Sequence, residues 1–158
     1  MKLNRPLVHA VVAVSIVTLA GCEEKKPAPA PTGTGAPSGH AAHGGAVIDL
    51  GSSAIGGFDV QASRDAGLIV AGKDAPIDVT VTPGAGSTAK AAAVRFWIGT
   101  EDAKGSVKAR ADIENPAEPN RWHTHAEIPN PIPAGSRLWV EIEAEGGAIN
   151  AGSFDLKV

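Results

Sequence analysis

The residues whose types and spacing could do chemistry are histidines. Four of the five fall in two close pairs, His40 and His43 in GHAAHGG and His123 and His125 in RWHTHAEI. Read as a strand, the second segment sets Trp122, Thr124, Ala126 and Ile128 on one face and His123, His125 and Glu127 together on the other. Side chains two apart on a strand are separated by about 7 Å at the backbone. Two imidazoles leaning together can therefore share one divalent ion at Zn–N distances of about 2.0–2.1 Å. Glu127 then acts as a third ligand or as the hydrogen-bond partner that orients one. His40 and His43 lie where the chain enters its folded part, and can complete that coordination or hold an ion by themselves. The competing readings are a solvated sheet face packed near charged neighbours such as Arg110 or Glu141, and for His40 and His43 a polar linker. Structural zinc sites normally take four protein ligands.

The scarcity of sulfur narrows the ion. Met1 and Cys22 are the only methionine and cysteine, which argues against sulfur-based Cu(I) carriage and against a blue-copper site. Imidazole with carboxylate suits Zn(II), Cu(II) or Ni(II).

Two tryptophans form a second candidate constellation. In AAAVRFWIG, Val94, Phe96 and Ile98 share one face and Arg95 and Trp97 the other. In RLWVEIEA, Leu138, Val140 and Ile142 oppose Trp139, Glu141 and Glu143. Trp97 and Trp139 are thus candidate contacts for a protein or glycan partner, the plainer alternative being that they cover the side of a sheet.

Catalytic motifs point nowhere. The chain has no Gly-x-Ser-x-Gly elbow, no His-Glu-x-x-His and no Gly-x-x-x-x-Gly-Lys loop, and Gly33-Thr-Gly35 does not sit between a strand and a helix. A non-enzymatic protein is expected, a hydrolase built from distant residues being the third reading after partner binding and metal binding.

The elements that must position these residues are strands. PIDVTVT alternates Ile77, Val79 and Val81; SVKARADIE alternates Val107, Ala109, Ala111 and Ile113 against Lys108, Arg110, Asp112 and Glu114. No apolar stripe at helical spacing persists for three turns. Turns separate the runs at Gly56-Gly57, Pro83-Gly84, 102–105, 115–120, 130–135 and Gly146-Gly147. About seven to nine short strands over residues 45–158 predict an all-β fold, an antiparallel β-sandwich of the immunoglobulin-like kind, with a small closed β-barrel as the alternative. AGKDAPIDVTVT and WHTHAEIPNPIPAGSRLWVEIEA are similar to the second strand and the last hairpin of small extracytoplasmic immunoglobulin-like modules. With one cysteine and no tyrosine, neither an inter-sheet disulfide nor a tyrosine corner is available.

Ahead of this domain the composition changes twice. Residues 23–45, EEKKPAPAPTGTGAPSGHAAHGG, hold almost no large apolar side chain and cannot bury enough surface to offset ordering entropy. Their Pro-Ala alternation favours extended polyproline II, at about 3 Å per residue. Residues 1–21 carry Lys2 and Arg5 ahead of the apolar run from Leu7 to Ala20. That is the pattern of a secretory signal, shorter than the ~20 apolar residues of a membrane-spanning helix.

The end of that run, Leu19-Ala20-Gly21-Cys22, resembles the lipobox of bacterial lipoproteins, in which a leucine three before the cysteine and small residues beside it fit the lipoprotein signal peptidase. The resemblance implies cleavage before Cys22, a diacylglyceryl thioether and an N-acyl chain on it, and residues 22–44 as a tether between lipid and domain. It also implies outer-membrane sorting, because Glu23 stands where aspartate usually marks inner-membrane retention. Each buried methylene is worth about 0.8 kcal/mol, so two or more chains anchor stably.

Removal of Lys2 and Arg5 leaves 12 basic residues against 17 acidic ones, a net charge of −5 with histidines neutral. Such a surface argues against nucleic acid and against a polybasic contact with anionic lipid. The expected partners are the membrane, through the lipid on Cys22, and a protein or glycan.

Overall fold

Period-two alternation becomes strand wherever one set of side chains can be buried. The computed structural model describes residues 45–158. Its strands are β1 (Val47–Ile55), β2 (Phe58–Asp65), β3 (Asp74–Pro83), β4 (Ala91–Gly99), β5 (Ala109–Arg110), β6 (Arg121–Glu127), β7 (Arg137–Ala144) and β8 (Ile149–Phe154). They form two antiparallel four-stranded sheets, ordered β1-β2-β3-β6 and β5-β4-β7-β8. The sheets do not close into a barrel, and the architecture is an antiparallel β-sandwich. Among the described residues no helix is long and apolar enough to cross a membrane.

The core is the set of inward residues: Phe58 and Val60 from β2, Ile77 and Val79 from β3, Val94, Phe96 and Ile98 from β4, and Leu138, Val140 and Ile142 from β7, all buried. Trp122, Ala126 and Ile128 close the β6 side. Fully burying one such aliphatic side chain is worth about 1.5–3 kcal/mol, so truncating an inward residue of β3, β4 or β7 weakens the adhesion of the two layers.

Two expected elements come out differently. SVKARADIE contributes only Ala109–Arg110 as β5, while Val107 and Ile113 are exposed. The segment changes sheets in mid-run. Ala111 N–H donates to Val94 O at 2.9 Å in the second sheet, and Asp112 then exchanges two backbone bonds with His123 in the first. A chain that crosses between layers cannot keep one face toward a single partner strand. Likewise WHTHAEI and RLWVEIEA are not the two arms of a hairpin. They lie in opposite sheets, and the last hairpin is β7–β8.

The edge strands β1 and β8 lack strong alternation and depend on local devices. In β1 the register shifts between Asp49 and Gly51; Gly51 sits at φ 107° and donates its N–H to Asp49 Oδ1 at 2.8 Å. This bulge bends the edge, and Leu50 within it is buried. At the other end of β1, Ile55 lies over Gly152 of β8, where a Cβ would come within 2.7 Å of Ile55 Cδ1.

Arg64 joins the layers at the opposite end. It is paired with Ile77 across β2–β3, so it points inward, and it is 4% exposed. Its guanidinium donates from Nε to Leu156 O at 2.8 Å, from Nη1 to Asp65 O and Gly67 O at 2.9 and 2.7 Å, and from Nη2 to Lys157 O at 3.0 Å. Burial lowers its pKa from the usual arginine value, but the group stays charged. Arg64→Met keeps the stem and leaves these carbonyls without their donor. The expected loss is about 2–3 kcal/mol of unfolding free energy, measured by urea denaturation of the full chain.

Candidate functional site

On β6 the alternation holds, and the histidines fall on its outer face. There His123 and His125 part company. His123 is 7% exposed, one of three buried polar or charged residues among those described, whereas His125 is exposed. The cause is register: β3 sets Asp78 beside His123 and Thr80 beside Arg121. Asp78 Oδ1 accepts from Arg121 Nε at 3.0 Å and lies 3.1 Å from His123 Nδ1. The Asp78 hydrogen bond also raises the pKa of Arg121, with Glu118 adding a second ion pair at 3.2 Å.

The rings of His123 and His125 meet edge to face, with centroids 5.5 Å apart. The carboxylate facing His123 Nε2 is Glu114, at 3.9 Å, rather than Glu127. Among the described residues no three His, Cys, Asp or Glu side chains converge as a metal-holding group. His40, His43 and Cys22 lie outside the described residues.

Across the first sheet the register runs Asp49, Ser63, Asp78, His123, Asp112. The carboxylate stands between the serine and the imidazole. A nucleophile–base–acid relay needs the imidazole in the middle, so this row is not that arrangement. Asp49, Gln61, Ser63, Asp78, Thr80 and Arg121 instead line a cavity of about 270 Å³ on the outer face of the sheet. With Asp59, Asp65, Asp74 and Glu127 on the same face, it is a predominantly acidic surface.

The outer face of the second sheet is balanced differently, with Arg95, Arg110, Arg137 and Lys108 against Glu141 and Glu143. Arg95 bonds Glu143 at 3.0 Å and Glu141 at 3.3 Å, and Lys108 bonds Glu141 at 2.6 Å. The hydrogen bond to Glu143 is the main reason that the pKa of Arg95 is raised.

Trp97 and Trp139 face each other across β4–β7 and stack, with centroids 5.9 Å apart and planes 10° from parallel. Trp97 is only 1% exposed, which corrects its reading as an open contact residue. Lys108 Nζ sits 4.3 Å from its ring centre, Trp139 covers it from the side, and its Nε1 donates to Thr100 O at 2.8 Å. Trp139 is half-buried and donates to Gly99 O at 3.1 Å.

At the loop end, residues 100–105 and 130–133 border an open cleft of about 780 Å³. Asp102 there accepts from the Thr100 hydroxyl at 2.7 Å and the Lys104 N–H at 3.1 Å, both of which hold its carboxyl below the usual range. This is turn chemistry within one loop. Among the described residues no buried side-chain nitrogen or oxygen lacks a hydrogen-bond partner. The residues missed in the sequence are Asp78, Arg121 and Arg64, and the one available signal was a charged residue inside an apolar-alternating run.

Compared with known proteins, the chain matches no family model, no curated protein and no solved structure. Fold and surface together define an antiparallel β-sandwich with two charged outer faces. The tryptophans divide by role: Trp97→Ala is expected to lower stability by about 3–5 kcal/mol. Trp139→Ala is expected to lower it by about 1–2 kcal/mol, so chemical denaturation of the two variants separates a core residue from a surface one.

Proposed function

We propose that this protein is a lipid-anchored, non-enzymatic component of a bacterial cell envelope whose sandwich binds or scaffolds a partner. In this reading it is cleaved before Cys22, acylated there, sorted to the outer membrane by Glu23, and joined to the lipid by residues 22–44 as a tether. The observation that carries the binding role is the outer face of the first sheet. Asp78 holds Arg121 and His123 in fixed positions beside a cavity of about 270 Å³, among further carboxylates. Side chains already ordered lose little entropy when a partner docks, and an acidic face selects a cationic one.

The anchor and the face are tested in one set of strains. Cys22→Ala should release the protein from membranes and abolish incorporation of labelled fatty acid. Thr80→Lys, at an exposed position on the acidic face, should keep the anchor and the fold but remove the adducts formed by chemical cross-linking in the envelope. Unchanged adducts would assign the contact elsewhere.

A second reading, accessory divalent-metal binding, is favoured by the Asp78–His123 pair. A carboxylate on one imidazole nitrogen orients the ring and raises the basicity of the other, as beside histidine ligands generally. His125 at 5.5 Å between centroids is the natural second ligand, with Zn(II) or Cu(II) as the ion. Calorimetric titration of the metal-free full chain should then show binding that His125→Ala abolishes and that weakens with acid, since protonated imidazole cannot ligate. Binding unaffected by His125→Ala would remove this pair from the account.

A further inference from the structure

The chain enters and leaves the described domain at one end of the sandwich. Val47 opens β1 opposite Asp65, and Phe154 closes β8 opposite Leu138 at the start of β7. The connections 66–73, 100–108 and 128–136 lie at that same end, because they join strand ends paired there. Exposed large apolar side chains concentrate at this end. Of the eight among the described residues, Val47, Leu68, Val70, Val107, Ile132 and Val158 belong to it, and Ile113 and Ile149 lie elsewhere.

Residues 66–72 read AGLIVAG, with no acidic side chain, in a chain of net negative charge. Leu68 is 90% exposed and Val70 45%, while Ile69 between them packs on the core. The loop backbone is pinned in this pose. Gly67 O accepts from Arg64 at 2.7 Å, Val70 O accepts from Lys73 N–H at 3.1 Å, and Gly72 N–H donates to Ile128 O at 2.8 Å. A tip held by hydrogen bonds with its leucine in water gains nothing inside the domain from that leucine.

We propose that this end of the sandwich docks on a lipid bilayer, with Leu68 and Val70 entering the headgroup–acyl boundary. The inference rests on the lipid-anchored reading above. What selects a bilayer as the occupant is where the chain outside the described residues ends: from Cys22 it reaches the domain at Val47, on the end that carries the apolar loop. An anchored tether makes docking intramolecular, so a small apolar contact suffices. Lys73 beside the loop is exposed, but so is Asp74 next to it, so the contact rests on the apolar side chains rather than on headgroup charge. Docked by its end, the domain leaves the acidic face of the first sheet and the mixed face of the second standing away from the lipid and open to partners.

The test uses the full, acylated chain with Leu68→Cys carrying an environment-sensitive fluorophore, Cys22 being blocked by its lipid. Ile149→Cys, at an exposed apolar position on the opposite end, is the control. On vesicles of phosphatidylethanolamine and phosphatidylglycerol the probe at 68 should shift to the blue and lose iodide quenching severalfold. The probe at 149 should change in neither respect, and Val70→Ser should weaken the response at 68. Protein that floats with vesicles while both probes stay equally quenched overturns the docking and leaves the anchor standing. Protein that takes up no fatty acid and does not float overturns the anchor, and the docking with it. Shielding of the probe at 68 that rises with protein concentration in detergent without vesicles assigns the loop to a second copy of the chain and overturns the bilayer as its occupant.

Discussion

Two four-stranded sheets adhere here because Ile77 and Val79 of one layer and Val94, Phe96, Ile98, Val140 and Ile142 of the other are 0% exposed. No cross-link helps, since the chain's one cysteine is Cys22. Everything else in the domain depends on that apolar layer. The hydrophobic effect has no direction, so the layer brings the sheets together and other devices set their ends. At one edge Ile55 lies over Gly152, where no side chain stands in its way. At the end where the chain enters and leaves, Arg64 gathers the carbonyls of Leu156, Lys157, Asp65 and Gly67 around one buried charge.

With the inner faces committed, chemistry is left to the outer ones, and these differ. On the first sheet, carboxylates outnumber cations, and the Asp78 cluster is sunk into the surface by its neighbours on β3 and β6. On the second, Arg95, Lys108, Glu141 and Glu143 form a partly exposed ionic lattice around the stacked tryptophans. Exposed pairs of this kind contribute about 0–1 kcal/mol each, so the lattice orders the surface more than it stabilises the fold. The indole stack and the buried Asp78 pair belong to the structure proper.

That division also reorders the histidines. His123 is tied to Asp78 and touches His125, so its ring has one orientation, set by a residue 45 positions earlier in the chain. His125 is exposed. The pair thus joins one ring fixed by a distant strand to one that is accessible.

By itself the sequence determined the fold class and the main inward residues. A half-buried strand must alternate with period two, and β3, β4, β6 and β7 carry that period plainly. It also determined the outward placement of His123, His125, Trp97 and Trp139, since parity along a strand is local. Only the tertiary structure decided which of those outward residues are open. Trp97 is sealed by Trp139 and Lys108, and His123 by Asp78, through neighbours supplied by register between distant strands. Register likewise decided that β6 and β7 part to different sheets, that the run around Ala109 breaks as it crosses between layers, and that Arg64 points inward. The physical reason is common to all: periodicity follows from one strand's geometry, whereas burial and pairing follow from which strand lies beside it, and that is settled only when the two sheets close on each other.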